Sequence, residues 1–281
     1  MPKSYTFNFV QIRCWCGFRQ FFANKTGWEN GIFGCKKQRC NSIFVTRING
    51  LKAATGLRYS PIIYLFMLRT KTAKKIAKKS YKLFEGLSPA WQSALGTITT
   101  DFSLIAWGQS GNGKSNFVMQ LVAEMLRFGP VLYLSLEEAD GITFQTLITR
   151  YIPSQYAHAL KVVGPGITVQ GLVEYLKRPR TPRVVVIDSL QYLGISYPEY
   201  KALRQQCPQV ALIMVSHATG RMPDGKTADK IRYDAGIKVY VDRDIAFIQH
   251  SRYGGNTNYV VYEEGARRKR TKREFKQCLT R

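Results

Sequence analysis

Acidic residues are scarce in this chain, and their scarcity is local. Residues 1–100 hold two acids, Glu29 and Glu85, against 17 Lys and Arg, and residues 266–281 hold one, Glu274, against eight. Residues 101–265 are close to balanced, with 15 acids against 17 bases. The net charge of +24 therefore sits at the two ends. Basic ends on a near-neutral body suit a polyanionic partner such as nucleic acid. Long apolar runs are missing as well. No stretch reaches the roughly 18 residues a membrane span needs, and the apolar segment 61–68 falls far short. No charged-then-apolar leader opens the chain. A cytoplasmic protein with no membrane partner is the expectation. Six cysteines are present without a secreted framework. Cys14, Cys16, Cys35 and Cys40 form a C-x-C and a C-x4-C pair, where a zinc ribbon has C-x2-C twice. A Cys₄ Zn²⁺ site on these four is one reading. Cys207 and Cys278 read as an ordinary intracellular cysteine and a tail cysteine. Also absent are the Asn/Thr-Lys-x-Asp base-reading motif of GTPases and a clear Arg-bearing lid of the kind nucleotide kinases use.

What is present begins with Gly108-Gln109-Ser110-Gly111-Asn112-Gly113-Lys114-Ser115, a complete G-x-x-x-x-G-K-[ST] phosphate loop. An apolar run of strand length, 102–107, precedes it. Residues 116–128 follow with Phe117, Leu121, Met125 and Phe128 at helical spacing. Glycines let the backbone curl so that successive N–H groups face one phosphate chain, and the helix N-terminus adds partial positive charge. Lys114 can reach the β- and γ-phosphates of ATP, and Ser115 can place its hydroxyl on Mg²⁺.

The rest of the chain divides by pattern. Residues 1–66 show no sustained period. They read either as a small zinc- or partner-binding module or as an extension ahead of a true start at Met67. Residues 67–100 read as a basic helical lead-in, with a lysine-rich helix over 70–84 and a short helix from Ser88-Pro89 to Leu95. From residue 101 to 265, strands at 131–136, 160–163, 183–187, 210–215, 237–241, 245–249 and 259–262 alternate at first with helices at 141–152, 169–176 and 198–206. Two-sided apolar strands between helices predict an α/β fold, a mostly parallel sheet covered on both faces. The last strands lack intervening helices and predict an antiparallel edge. The charged segment from Ala266 to the end predicts a disordered tail.

Three strand ends add chemistry to the loop. Val184-Val185-Val186-Ile187-Asp188 is an apolar strand ending in an acid, and a parallel sheet delivers that end to the edge that carries the loop. Asp188 can hold Mg²⁺ there, directly or through water. Leu134-Ser135-Leu136-Glu137-Glu138 places a glutamate after the next strand. Glu137 can polarise an attacking water, with Glu138 as its rival. Ile213-Met214-Val215-Ser216-His217 ends in a polar side chain able to sense the γ-phosphate. Loops 190–197 and 219–232 follow two of these strands. The second carries Arg221, Lys226, Lys230 and Arg232, and the first Tyr192 and Tyr197. Basic side chains can meet phosphates and aromatics can stack on unpaired bases, which suits a single-stranded nucleic acid.

In this order the motifs resemble those of RecA-like P-loop ATPases, nearest to the bacterial RadA recombination protein and the hexameric replicative helicases. The resemblance covers residues 101–264. It implies a RecA-like core, Glu137 as the catalytic glutamate, and His217-Ala218-Thr219 in place of RadA's His-Val-Thr. His250-Ser251-Arg252-Tyr253-Gly254 stands where RadA has Lys-Asn-Arg-Phe-Gly. Arg252 then corresponds to an arginine finger offered to a neighbouring subunit, and His250 departs from the family lysine. The implied function is DNA-stimulated ATP hydrolysis in recombination, repair or replication by a homo-oligomer, a hexameric ring among the options. Compact ATPases of this kind resemble those of phages and mobile elements. The alternatives are a small-molecule phosphotransferase and an ATP-gated loader that hydrolyses slowly.

Overall fold

The computed structural model describes residues 70–279 and, before them, the strands β1 (Asn30–Gly34) and β2 (Ile43–Arg47). The chain divides between Thr70 and Lys71 into two units, a few residues beyond the expected boundary. In the first, β1 and β2 pair antiparallel with Asn30 opposite Arg47. Cys14, Cys16, Cys35 and Cys40 lie outside the described residues.

The second unit opens with α1 (Ala73–Ala77), much shorter than the predicted basic helix. Ile76 is its one large apolar side chain and is 55% exposed, so packing gives a longer helix nothing to bury. Beyond it the chain runs extended, Leu83 bridges Thr99, and Phe84 is buried against Phe102 and Phe128. Next, α2 (Pro89–Leu95) begins with proline in its first turn, as its sequence predicts.

Eight strands then form one sheet. Six are parallel: β3 (Ser103–Trp107), β4 (Val131–Ser135), β5 (Leu160–Val163), β6 (Val184–Asp188), β7 (Ala211–Ser216) and β10 (Ile237–Asp242). A two-residue ladder between β8 (Ala218–Thr219) and β9 (Met222–Pro223) stands apart from them. On one side β11 (Ile245–Ser251) adds antiparallel to β10, and β12 (Tyr259–Val260) antiparallel to β11. The order is β12-β11-β10-β3-β7-β6-β4-β5. This is the α/β sheet with antiparallel edge strands that the alternation predicts.

Both faces are covered. Leu104 and Ala106 of β3 join a core with Phe117 and Leu121 of α3 (Lys114–Met125) and Phe144 of α4 (Ile142–Tyr151). Ile105 and Trp107, pointing the other way, join a core with Leu172 of α5 (Val169–Leu176), Leu203 of α7 (Tyr197–Gln206) and Ile231 of α8 (Lys226–Asp234). Period-two side chains on a strand buried from both sides explain why its sequence is apolar throughout. Each such side chain, fully buried, contributes about 1.5–3 kcal/mol.

Connections leave β3 and β7, which are neighbours, in opposite directions: β3 leads to β4, β7 to β10 on the far side. The crevice outside their carboxyl ends is therefore the topological switch point, where open α/β sheets bind ligands.

Other segments also differ from their sequence reading. The loop expected over 219–232 contains α8, whose Ala228 and Ile231 are buried. The tail expected to be disordered forms α9 (Glu263–Arg268) and α10 (Lys272–Leu279). High charge was misleading there because the charges are arranged for a helix. Glu263 and Glu264 pair with Arg267 and Arg268 one turn on. Thr271 and Glu274 form a reciprocal cap: Glu274 N–H donates to Thr271 Oγ1 at 3.3 Å, and Thr271 N–H donates to Glu274 Oε2 at 2.8 Å. Phe275 then packs with Ile245 and Ala266.

Candidate functional site

Parallel register brings the predicted strand ends to one edge. Trp107 lies opposite Ser216, and Ser135 opposite Asp188. The phosphate loop, Glu137, Asp188 and His217 thus leave the same side of the sheet.

The loop itself is held from below by the β10–β11 turn. Asn112 Nδ2 donates to Asp242 Oδ1 at 3.2 Å, and Asp244 N–H donates to Asn112 O at 3.1 Å. Two glycines make this approach possible. A Cβ on Gly108 would lie 2.2 Å from the Val241 carbonyl oxygen, and one on Gly113 would lie 2.8 Å from Asp244 Oδ1, with Gly113 at φ +92° besides. Lys114 opens α3 and folds back over the loop, donating from Nζ to Gln109 O at 3.0 Å. Burial holds its ammonium below the ordinary lysine range, and the nearby Asp188 and Glu137 oppose that shift.

Asp188 ends β6 and joins Ser115, Ser135, Glu137 and Glu138 around one crevice. Tyr133 O–H donates to Asp188 Oδ2 at 2.6 Å. Burial pushes the Asp188 carboxyl up to about 6, against the lowering effect of the Tyr133 bond. Glu137 and Glu138 push it in the same upward direction as burial. Beside it Ser189 is fully buried, and its Oγ has no hydrogen-bond partner among the described residues. A carboxyl desolvated among other carboxyls, next to a hydroxyl at the start of α3, is a donor set that a divalent cation fits. Ser115 and Asp188 are the residues that would hold Mg²⁺. Among the described residues, no group of three or more His, Cys, Asp or Glu gathers as an all-protein metal cage.

Glu137 and Glu138 both follow β4 and both are exposed. They differ in partner: Glu137 Oε2 lies 3.5 Å from His217 Nε2. Because β6 runs between β4 and β7, this pair spans the end of the strand that carries Asp188. His217 is also fixed through its backbone. Its N–H donates to Gln191 Oε1 at 3.3 Å, and its carbonyl accepts from Asp224 N–H at 2.9 Å.

Gln191 is the residue that the sequence reading missed. It sits on α6 (Leu190–Leu193), one turn after Asp188, and its Nε2 donates to Ser216 Oγ and to Asp224 O, each at 2.9 Å. One amide therefore ties the Asp188 strand end, the His217 strand end and the following hairpin together. No sequence signal marks a glutamine in this role, since its partners lie 25 to 33 residues away.

The four basic residues read as one nucleic-acid loop do not gather. Helix α8 starts at the carboxyl edge and ends near the amino edge, so Arg221 and Lys226 stand by the hairpin while Arg232 lies one helix length away. Arg232 is paired with Asp229 at 2.9 Å and is only 14% exposed in its side chain. Lys230 Nζ lies 5.9 Å from the Tyr197 ring centre. Tyr192, 55% exposed, has its ring 6.0 Å from that of His217.

Arg252 stands on the opposite edge from the loop. It follows the carboxyl end of β11, whose Ser251 pairs with Ile237 at the start of β10, and its N–H donates to Gly236 O at 3.0 Å. The surrounding Ser-Arg-Tyr-Gly is a clasp on α2: Ser251 Oγ donates to Leu95 O at 2.6 Å, and Thr97 N–H donates to Tyr253 O at 3.0 Å. The clasp leaves the Arg252 side chain exposed. Lys238 sits across from His250, and burial first, then Arg232 and Arg252, lower its ammonium below the ordinary lysine range. Three cations thus crowd one surface.

No helix among the described residues is long and apolar enough to cross a membrane. No protein-family model matches this chain, and no curated protein matches its sequence.

Proposed function

We propose that this protein is a RecA-like ATPase that acts on DNA as a homo-oligomer. The observation that carries the reading is convergence at the switch point: phosphate loop, Asp188 and the Glu137–His217 pair meet at one sheet edge. ATP lies with its phosphates on the loop amides and Lys114. Mg²⁺, held by Ser115 and Asp188, supplies charge neutralisation on the phosphate oxygens when bound. Glu137 orients water and takes its proton as the water oxygen bonds to the γ-phosphorus and the bond to the β–γ bridging oxygen breaks, releasing ADP. His217 takes the place of a sensor: its contact with Glu137 links the water-orienting carboxylate to the backbone of the 218–224 hairpin through Gln191 and Asp224.

Single-stranded DNA meets the carboxyl-edge hairpin with Arg221, Lys226 and the exposed Tyr192. Arg252 serves a neighbouring copy. It is separated from its own loop by strands of five or six residues, about 16–20 Å, which an arginine side chain does not span. The test is ATP turnover by purified protein with and without single-stranded DNA. Stimulation by DNA, abolished in Glu137→Gln, supports the reading. Absence of any Mg²⁺-dependent turnover, with or without DNA, contradicts it.

A further inference from the structure

The C-terminal segment reaches the phosphate loop through one turn. Arg243 and Asp244 join β10 to β11 with φ of +46° and +62°, the left-handed conformation of a tight hairpin. Above this turn are the loop contacts already described, from Asn112 and Gly113. Outside it are Lys269 and Arg270. The Arg270 side chain is 1% exposed, and its guanidinium donates to Arg243 O at 2.5 Å and to Asp242 O at 2.7 Å. Lys269 Nζ lies 2.8 Å from Asp244 Oδ2, and Arg243 Nη1 donates back to Lys269 O at 2.9 Å.

We propose that Arg270, with Lys269, is a positioning residue for the phosphate loop. A buried guanidinium is costly unless its donors are matched. Docking α10 does not require one, since Phe275 supplies the apolar anchor. What the planar fork does here is fix two successive carbonyls, of Asp242 and Arg243, where the chain enters the turn. Asp242 is gripped from one side by Arg270 and from the other by Asn112. Asp244 is gripped by Lys269 and pressed on Gly113. A turn that yields would let residues 112–113 drift, and with them the amides that face the phosphates. This inference rests on the reading of the loop as an ATP site.

The experiment is Mg-ATP affinity by titration calorimetry on the full chain, beside thermal unfolding without nucleotide. Arg270→Met should weaken affinity about tenfold, the scale of one charge-assisted hydrogen bond. In a double-mutant cycle, Arg270→Met combined with Asn112→Ala should lose clearly less affinity than the sum of the two single losses, because both act through the Asp242 contact. An additive loss overturns the proposal, since it would mean that Arg270 acts on stability at large. Lys269→Met, whose parent side chain is 42% exposed, keeps the fold if Arg270→Met does not, and should weaken affinity about threefold. Equal affinity in wild type and in whichever variants fold overturns this inference alone. A wild type that binds no ATP overturns it together with the nucleotide reading.

Discussion

The two edges of the eight-stranded sheet carry opposite chemistry. At the carboxyl edge stand a loop of backbone amides and a group of acids, Glu137, Glu138 and Asp188, with Lys114 among them. At the amino edge stand Arg252, Lys238 and Arg232, where burial and then the two neighbouring arginines hold the Lys238 ammonium below the ordinary lysine range. The proposed nucleotide site lies at the carboxyl edge, and Arg252, the proposed finger, lies at the amino edge. Strands of fixed length hold the edges apart, so one copy cannot join them. Two copies stacked head to tail can, and a heterologous contact of that kind repeats into a ring or a filament. Singly, the amino edge is a basic patch, and the carboxyl edge carries a loop spelled for phosphate; the proposed assembly needs both.

The largest effects should come from the carboxyl edge. Glu137→Gln should lower turnover by about 10²- to 10⁴-fold with ATP binding retained, since only proton abstraction is lost. Normal turnover in that variant would shift the role to Glu138. Lys114→Ala should lower turnover by at least about 10²-fold and weaken ATP binding as well, because it removes the main cation facing the γ-phosphate. The two variants are separable by direct binding measurements.

A medium effect concerns Asp188. Its carboxyl is raised from 3.8 to about 6 by burial. A raised carboxyl holds its proton in the folded state over a range where the unfolded chain has released it. Stability of the metal-free protein should therefore fall as pH rises from about 4 to about 6, by up to about 3 kcal/mol. Asp188→Asn should flatten this slope in denaturant unfolding at a series of pH values. A slope unchanged by the substitution would place the titration elsewhere. The smallest effect is at Tyr133. Tyr133→Phe removes the bond that lowers the Asp188 carboxyl, so the stability loss should end at a higher pH than in wild type.

The parallel core and its site were legible because local signals agreed. The loop spelling, the buried strands and the acids at their ends are all short-range features, and a parallel sheet brings such ends together by construction. Helix α5 and strand β5 match the sequence reading residue for residue. Long-range polar contacts were not legible: Gln191 meets Ser216 and Asp224 only after folding. The tail was misread because composition outweighed pattern. Thr271-Lys272-Arg273-Glu274 is a capping-box spelling, and Glu263 and Glu264 stand four residues before Arg267 and Arg268. Helix α8 was hidden for a related reason, because Ala228 and Ile231 are its only buried residues and basic residues surround them.

The central claim is that Arg252 of one copy completes the site of another, and mixing two inactive variants tests it most directly. Arg252→Ala should bind ATP through its own loop and lose about 10³-fold in turnover, the scale of an arginine finger. Glu137→Gln is inactive for a different reason. In mixed oligomers, some contacts pair an intact Glu137 site with an intact Arg252 from the neighbour, and turnover should partly return. If mixed oligomers form and turnover stays at the level of the separate variants, Arg252 does not act between copies, and the two edges of the sheet do not meet in the working assembly.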